Sequence, residues 1–193
     1  MKVLRNFVLA ACALLLAGCT TITTKYPIGT TTGLGADKAI LGSWSGQLKD
    51  SQTRVIAHFI GAQKAGIAAI LVLRDSGRNE DSGAGLFMLR TATLGENRYA
   101  NVYKQLSSDD LEALKFEDMH MPVLYRLGSD GTLTLNLPDD NRTRAAITAG
   151  KLTGTINGST IDITSEPKVL DAFMATPEGA ALFRTLVVLK RLD

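Results

Sequence analysis

What most narrows the fold is a rhythm. From residue 42 onward the chain advances in short apolar runs, each broken by Gly, Asn, Asp or Ser. Runs at 42–49, 54–61, 66–74, 85–94, 98–106, 122–127, 132–137, 151–156, 160–164 and 185–192 read as strands. Leu133, Leu135 and Leu137 alternate with Thr132, Thr134 and Asn136, which gives one dry face and one wet face. Ser129-Asp130-Gly131 and Asn157-Gly158-Ser159 carry the residues that tight hairpins demand, because Gly and Asn accept positive φ. The run GIAAILVL at 66–73 is apolar on both faces and needs cover on each. So many strands in one modest chain predict a mainly β fold, an antiparallel barrel or a strongly curved sheet that leaves few exposed edges.

Three or four short helices are expected to pack on that sheet. Ser107-Ser108-Asp109-Asp110 supplies caps and acids for one, with Leu111 and Leu114 as its apolar edge. Residues 140–149 form a second, stopped by Gly150. Ser165-Glu166-Pro167 opens a third, in which Val169, Leu170, Phe173 and Met174 share a side, and Thr176-Pro177-Glu178 repeats the start signal.

The N-terminus carries a different message. Lys2 and Arg5 precede an uncharged run at 7–17 that is too short to cross a bilayer, the three-part layout of a secretory leader. It ends in Leu16-Ala17-Gly18-Cys19, which resembles the lipobox of bacterial lipoproteins. That resemblance implies removal of residues 1–18, a diacylglyceryl group on Cys19 and, with Thr20 rather than Asp next, residence in the outer membrane facing the periplasm. Each buried methylene contributes about 0.8 kcal/mol to such an anchor. Removing Lys2 and Arg5 from 21 basic residues leaves 19 against 19 acidic ones, so nothing favours nucleic acid as a partner. Cys12 leaves with the leader and Cys19 carries lipid, so no thiol remains for a disulfide. Residues 19–39, rich in Thr and Gly, read as the lipidated Cys and a flexible tether, and 40–193 as a single β-rich domain.

Leu41-Gly42-Ser43-Trp44-Ser45-Gly46 opens the first of these strands and holds the only Trp. It resembles the Gly-x-Trp signature of lipocalins and related calycin barrels. In that family the Trp lies near the closed end, covered by a basic residue from a late strand, and Lys190 or Arg191 is placed to do this. Gly42, Trp44 and Arg191 are thus the expected structural signature. The likeness does not extend to the middle of the chain, which lacks a Thr-Asp-Tyr motif and has helices between strands.

Catalytic patterns are weaker. Asp75-Ser76-Gly77 and Asp81-Ser82-Gly83 match the Asp-Ser-Gly of aspartic proteases, yet six residues apart in one polar loop is a poor way to make two carboxylates share a proton. Ser165-Glu166-Pro167-Lys168 fits Ser-x-x-Lys without its companion motifs, and a capping Ser explains the same letters. Gly33-Leu34-Gly35 lacks the strand and third Gly of a dinucleotide loop. His58 and His120 lack the Cys or carboxylate spacing of a metal site. No enzyme activity, metal or cofactor is therefore expected. His58, Tyr99, Tyr103 and Tyr125 are the candidates to line a pocket. The expected function is that of a membrane-anchored lipoprotein holding a small apolar or amphipathic ligand in a barrel. The alternative is an envelope protein that meets a protein partner through its outer surface.

Overall fold

The computed structural model describes residues 21–49, 51–62, 66–75, 81–106 and 119–192. The leader, Cys19 and the helix expected from Ser107 lie outside the described residues.

Eight strands close into an antiparallel barrel in the order β11-β2-β3-β4-β5-β6-β7-β8. They are β2 (Gly42–Leu48), β3 (Thr53–Gly61), β4 (Ile67–Asp75), β5 (Asp81–Leu94), β6 (Asn97–Leu106), β7 (Met121–Leu127), β8 (Thr132–Pro138) and β11 (Phe183–Arg191). Seven follow one another as a meander. The last strand closes the ring by pairing with β8 on one side and β2 on the other. This is the calycin-like barrel that the strand rhythm and the Gly-x-Trp segment predict.

Register fixes which side chains point inward. Trp44 pairs with Ala57, Ala57 with Leu71, and Leu71 with Gly85. With a side-chain period of two, these positions and their alternates point into the lumen. The inward set includes Trp44, Val55, Ala57, Phe59, Ile67, Ala69, Leu89, Ala100, Tyr125, Leu133, Val187 and Leu189, all buried in one cluster. On the doubly apolar strand β4, Ile67 and Ala69 belong to this core, while Ala68, Ile70 and Val72 are half-buried on the outer face.

Between β8 and β11 the chain inserts a cap on the barrel wall. It comprises α1 (Asp140–Thr148), the hairpin β9 (Gly154–Asn157) and β10 (Thr160–Ile163), then α2 (Pro167–Met174) and α3 (Pro177–Ala181). Asp139 caps α1 by accepting from the Arg142 N–H at 3.1 Å, and Gly150 (φ 70°) ends it. A second core, with Ile28, Leu94, Tyr99, Leu124, Ile161, Leu170, Met174 and Phe183, glues this insert to the wall. Val169, expected beside Leu170, is 52% exposed; Asp171 takes the buried side instead.

The expected tether is a correction. Residues 21–37 are built into the fold, because their backbone groups find partners and their apolar side chains find a core. Strand β1 (Thr21–Thr24) pairs in parallel with β10, making a small sheet β1-β10-β9. Ile22 and Ile28 are buried. Asn101 on β6 grips Ile28 like a neighbouring strand, its Oδ1 accepting from the Ile28 N–H at 2.7 Å and its Nδ2 donating to the Ile28 carbonyl at 2.8 Å. The Asp171 carboxylate accepts from the N–H groups of Gly29 and Thr31 and from the Thr31 hydroxyl, at 2.6–2.8 Å. Gly29 must be Gly: its φ is +93°, and a Cβ there would meet Ala92 Cβ at 2.1 Å. Gly35 then bridges Thr91 through two backbone bonds of 2.8 Å, where β5 runs on beyond its pairing with β4.

Candidate functional site

The lumen has one sealed end and one less sealed half. At the sealed end, a 3-10 turn at Lys38–Ile40 is capped by Asp37, whose Oδ1 accepts from the Ala39 N–H. Trp44, 1% exposed, donates from Nε1 to the Ile40 carbonyl at 2.8 Å. The Arg191 guanidinium lies 4.6 Å from the Trp44 ring centroid and donates from Nη2 to the Ala39 carbonyl. Of the two basic residues that could cover the Trp, Arg191 does so; Lys190 sits one residue out of phase and is exposed. Gly42 makes room, since its φ is +118° and a Cβ would come within 3.1 Å of Arg191 Nη1.

Tyr125 completes the seal from inside. Its hydroxyl donates to Asp37 Oδ2 at 2.8 Å, and Arg98 Nη1 stands 3.5 Å from the same oxygen. Burial pushes the Tyr125 phenol well above its ordinary value, and the neighbouring Asp37 adds to the rise. The group is therefore a neutral donor at physiological pH.

Toward the other half, the inward side chains of Leu48, Leu71, Leu73, Phe87, Val102, Val123 and Leu135 are only partly buried, although they belong to the same apolar cluster. Gly46, Ala57, Gly83 and Gly85 stand at inward positions among them and contribute little volume. An apolar lining that is not fully packed upon itself is suited to hold an apolar guest, because non-directional burial needs only area removed from water.

The four sequence-predicted pocket residues do not meet. His58 is out of phase with Ala57 and Phe59, so it stands on the outer face, its Nδ1 2.8 Å from Ser43 Oγ. Tyr99 is fully buried on the outer side of β6, donating to the Met174 carbonyl at 2.7 Å and packing against Phe183 with ring centroids 5.6 Å apart. Burial holds its phenol far above the ordinary range. Tyr103 is buried where β6 slips by one residue against β5. Burial raises its phenol, and the Arg90 charge lowers it in part. Only Tyr125 faces the lumen, and it serves the sealed end. Aromatic residues on successive strands cannot share a pocket unless their parity agrees, and here it does not.

Ser165 is likewise not a cap. It is buried, its Oγ accepting from the Thr153 N–H at 2.7 Å, while Glu166 occupies the N-cap of α2 without a side-chain bond. That pairing leaves the Ser-x-x-Lys letters a structural account. Asp75 ends β4 and Asp81 begins β5, so the second Asp-Ser-Gly lies in a strand rather than in a loop. Asn101 and Asp171, which clasp the N-terminal segment, are not among the residues the sequence singles out. The only local hint is a polar residue next to an apolar one, Asn101 between Ala100 and Val102 and Asp171 after Leu170.

A concavity of about 900 Å³ lies outside the barrel, between α3, the turn at Gly95–Glu96 and the wall at Leu124, Asn136 and Phe183. Two of its polar side chains are already engaged. Asn136 donates to the Leu124 carbonyl and accepts from the Thr185 hydroxyl, and Asn97 donates to the Met174 carbonyl. Among the described residues, no three of His, Cys, Asp or Glu come together as metal ligands would, and no helix is long and apolar enough to cross a membrane. No protein-family model, curated protein or solved structure gives a significant match to the chain.

Proposed function

We propose that this protein is a lipid-anchored protein of the bacterial envelope, moored through Cys19 to the outer membrane on its periplasmic side, which holds a small apolar or amphipathic molecule in its barrel without transforming it. One observation carries the binding reading. The lumen is tightly sealed at the Trp44 end, while Leu48, Leu71, Leu73, Phe87, Val102 and Val123 stay partly uncovered in the other half. A barrel built only as a solid support would gain by burying those side chains fully, since each buried Leu or Val side chain contributes roughly 1.5–3 kcal/mol. The anchor reading is supported by the leader and by Leu16-Ala17-Gly18-Cys19.

The test exploits strand parity. An environment-sensitive apolar fluorophore is titrated into the purified protein, and bound small molecules are sought by native mass spectrometry. Leu71→Glu places a charge in the lumen and is expected to abolish fluorophore binding. Val72→Glu, one residue along on the outer face, is expected to leave it intact. Equal binding by both variants, with no small molecule retained, would reject the lumen as the site and leave the outer surface as the working part. Intact mass tests the anchor: Cys19→Ser is expected to lose the lipid mass and to release the protein from membranes.

A further inference from the structure

Resting on the anchor reading above, we infer that the domain lies directly on the lipid headgroups, with the β9–β10 hairpin tip as its contact surface. A lipoprotein domain on a long tether floats free of the bilayer. Here Thr21 already belongs to the fold: its N–H donates to the Ser159 carbonyl at 2.8 Å and its Cα pairs with Thr160. Only Thr20 separates that residue from Cys19. Two residue spacings of extended chain reach at most about 7 Å, comparable with the headgroup layer on one side of a bilayer, roughly 5–8 Å.

Whatever adjoins Thr21 must therefore adjoin the membrane. The neighbours are Asn157, Gly158 and Ser159 at the hairpin tip, all exposed, and Ile156, 37% exposed on β9. The tip is compact: Gly158 takes φ 58°, and Arg144 on α1 donates from Nη2 to its carbonyl at 2.6 Å. Small hydroxyl and amide side chains suit the polar headgroup layer, and Ile156 can enter its edge. The partner is the lipid surface itself. Strand β1 cannot peel away to serve as a spacer without breaking its ladder to β10 and the two backbone bonds between Thr24 and His120, and the Asn101 and Asp171 clasps hold the segment that follows it.

The experiment uses the lipidated full chain in vesicles of its host lipids. With Cys12 removed and Cys19 acylated, Ser159→Cys carries the sole free thiol and takes an environment-sensitive fluorophore. Ser51→Cys, across the barrel from β7, is the reference. Headgroup-labelled quencher lipids are expected to quench the probe at 159 several-fold more than the probe at 51. A Gly/Ser spacer of about ten residues placed between Thr20 and Thr21, with an end-to-end reach of about 17 Å, is expected to bring position 159 down to the level of position 51 while membrane association persists. Lipidated protein with equal quenching at both positions would overturn this inference alone, as would a spacer variant that keeps full quenching. An unlipidated Cys19 by intact mass would overturn the anchor reading and this inference with it.

Discussion

Arg191, the last residue of β11, lies over Trp44, the third residue of β2, with 4.6 Å between the guanidinium carbon and the indole centroid. The two strands are neighbours in the ring, and Arg191 is the register partner of Trp44, so closing the barrel is what creates the contact.

Opening this end is predicted to follow a ranked series. Trp44→Ala removes a buried indole and its bond to Ile40, for a loss of about 3–5 kcal/mol. Arg191→Ala loses the stacked cation and the bond to Ala39, for about 1–2 kcal/mol. Gly42→Ala forces a positive φ on a residue with a Cβ, for about 1–3 kcal/mol. Denaturant melts followed by fluorescence measure the last two, because Trp44 is the sole Trp and reports this end alone; the Trp44 variant is followed by circular dichroism. An unchanged midpoint for Arg191→Ala would show the stacking to be incidental.

Asp171 tests whether the N-terminal segment belongs to the fold. Asp171→Ala strands two backbone N–H groups and the Thr31 hydroxyl, and is predicted to destabilise by about 2–4 kcal/mol. Amide hydrogen exchange should accelerate first across residues 21–35. Fast exchange of these amides in the unmutated protein would restore the tether.

His120 sets an acid limit. Its backbone bridges Thr24, its Nδ1 is buried without a partner among the described residues, and burial lowers its pKa. A depressed folded pKa favours the neutral form. The associated stability is present above the unfolded value of 6.5 and is lost as pH falls through the folded one. Between about pH 7.5 and 4.5, the unfolding midpoint should drop less for His120→Leu than for the parent. Parallel curves would remove His120 from the account.

The tyrosines set the alkaline limit by the opposite sign. Burial raises the phenols of Tyr99, Tyr103 and Tyr125 above the usual 10.0. Their contribution is complete below that value and is lost as pH rises through the folded values. Absorbance titration should show these phenols ionising only together with unfolding. Tyr99→Phe should soften that coupling and destabilise by about 1 kcal/mol through loss of the bond to Met174. Smooth ionisation of all the tyrosines before unfolding would contradict their burial.

Legibility followed the range of the forces involved. Turns at Gly131 and Gly158, the stop at Gly150 and Pro167 in a first turn are local conformational matters, and each stands where its letters suggest. The inward parity of β8 and the Gly-x-Trp segment were likewise readable, since period and steric room are properties of a few adjacent residues. The expected wet face of β8, however, is covered at Asn136, which is buried. Strand β1 was hidden because Thr21–Thr24 holds a single apolar residue and gains its partner only from β10, some 139 residues away. The Lys151 end of the expected strand became the exit from α1, and β9 starts at Gly154.

The candidate site was harder for the same reason. Residue types along the chain determined that a mainly β fold would form, where its hairpins would turn and which Trp would anchor its closed end. Tertiary structure alone decided that His58 faces outward, that Tyr99 belongs to the wall rather than the lumen, and that a Thr/Gly-rich stretch is clasped by Asn101 and Asp171. Strand parity is set by pairing with a neighbour, and a buried polar group is satisfied by whatever the folded chain brings to it. Neither is a property of the local letters.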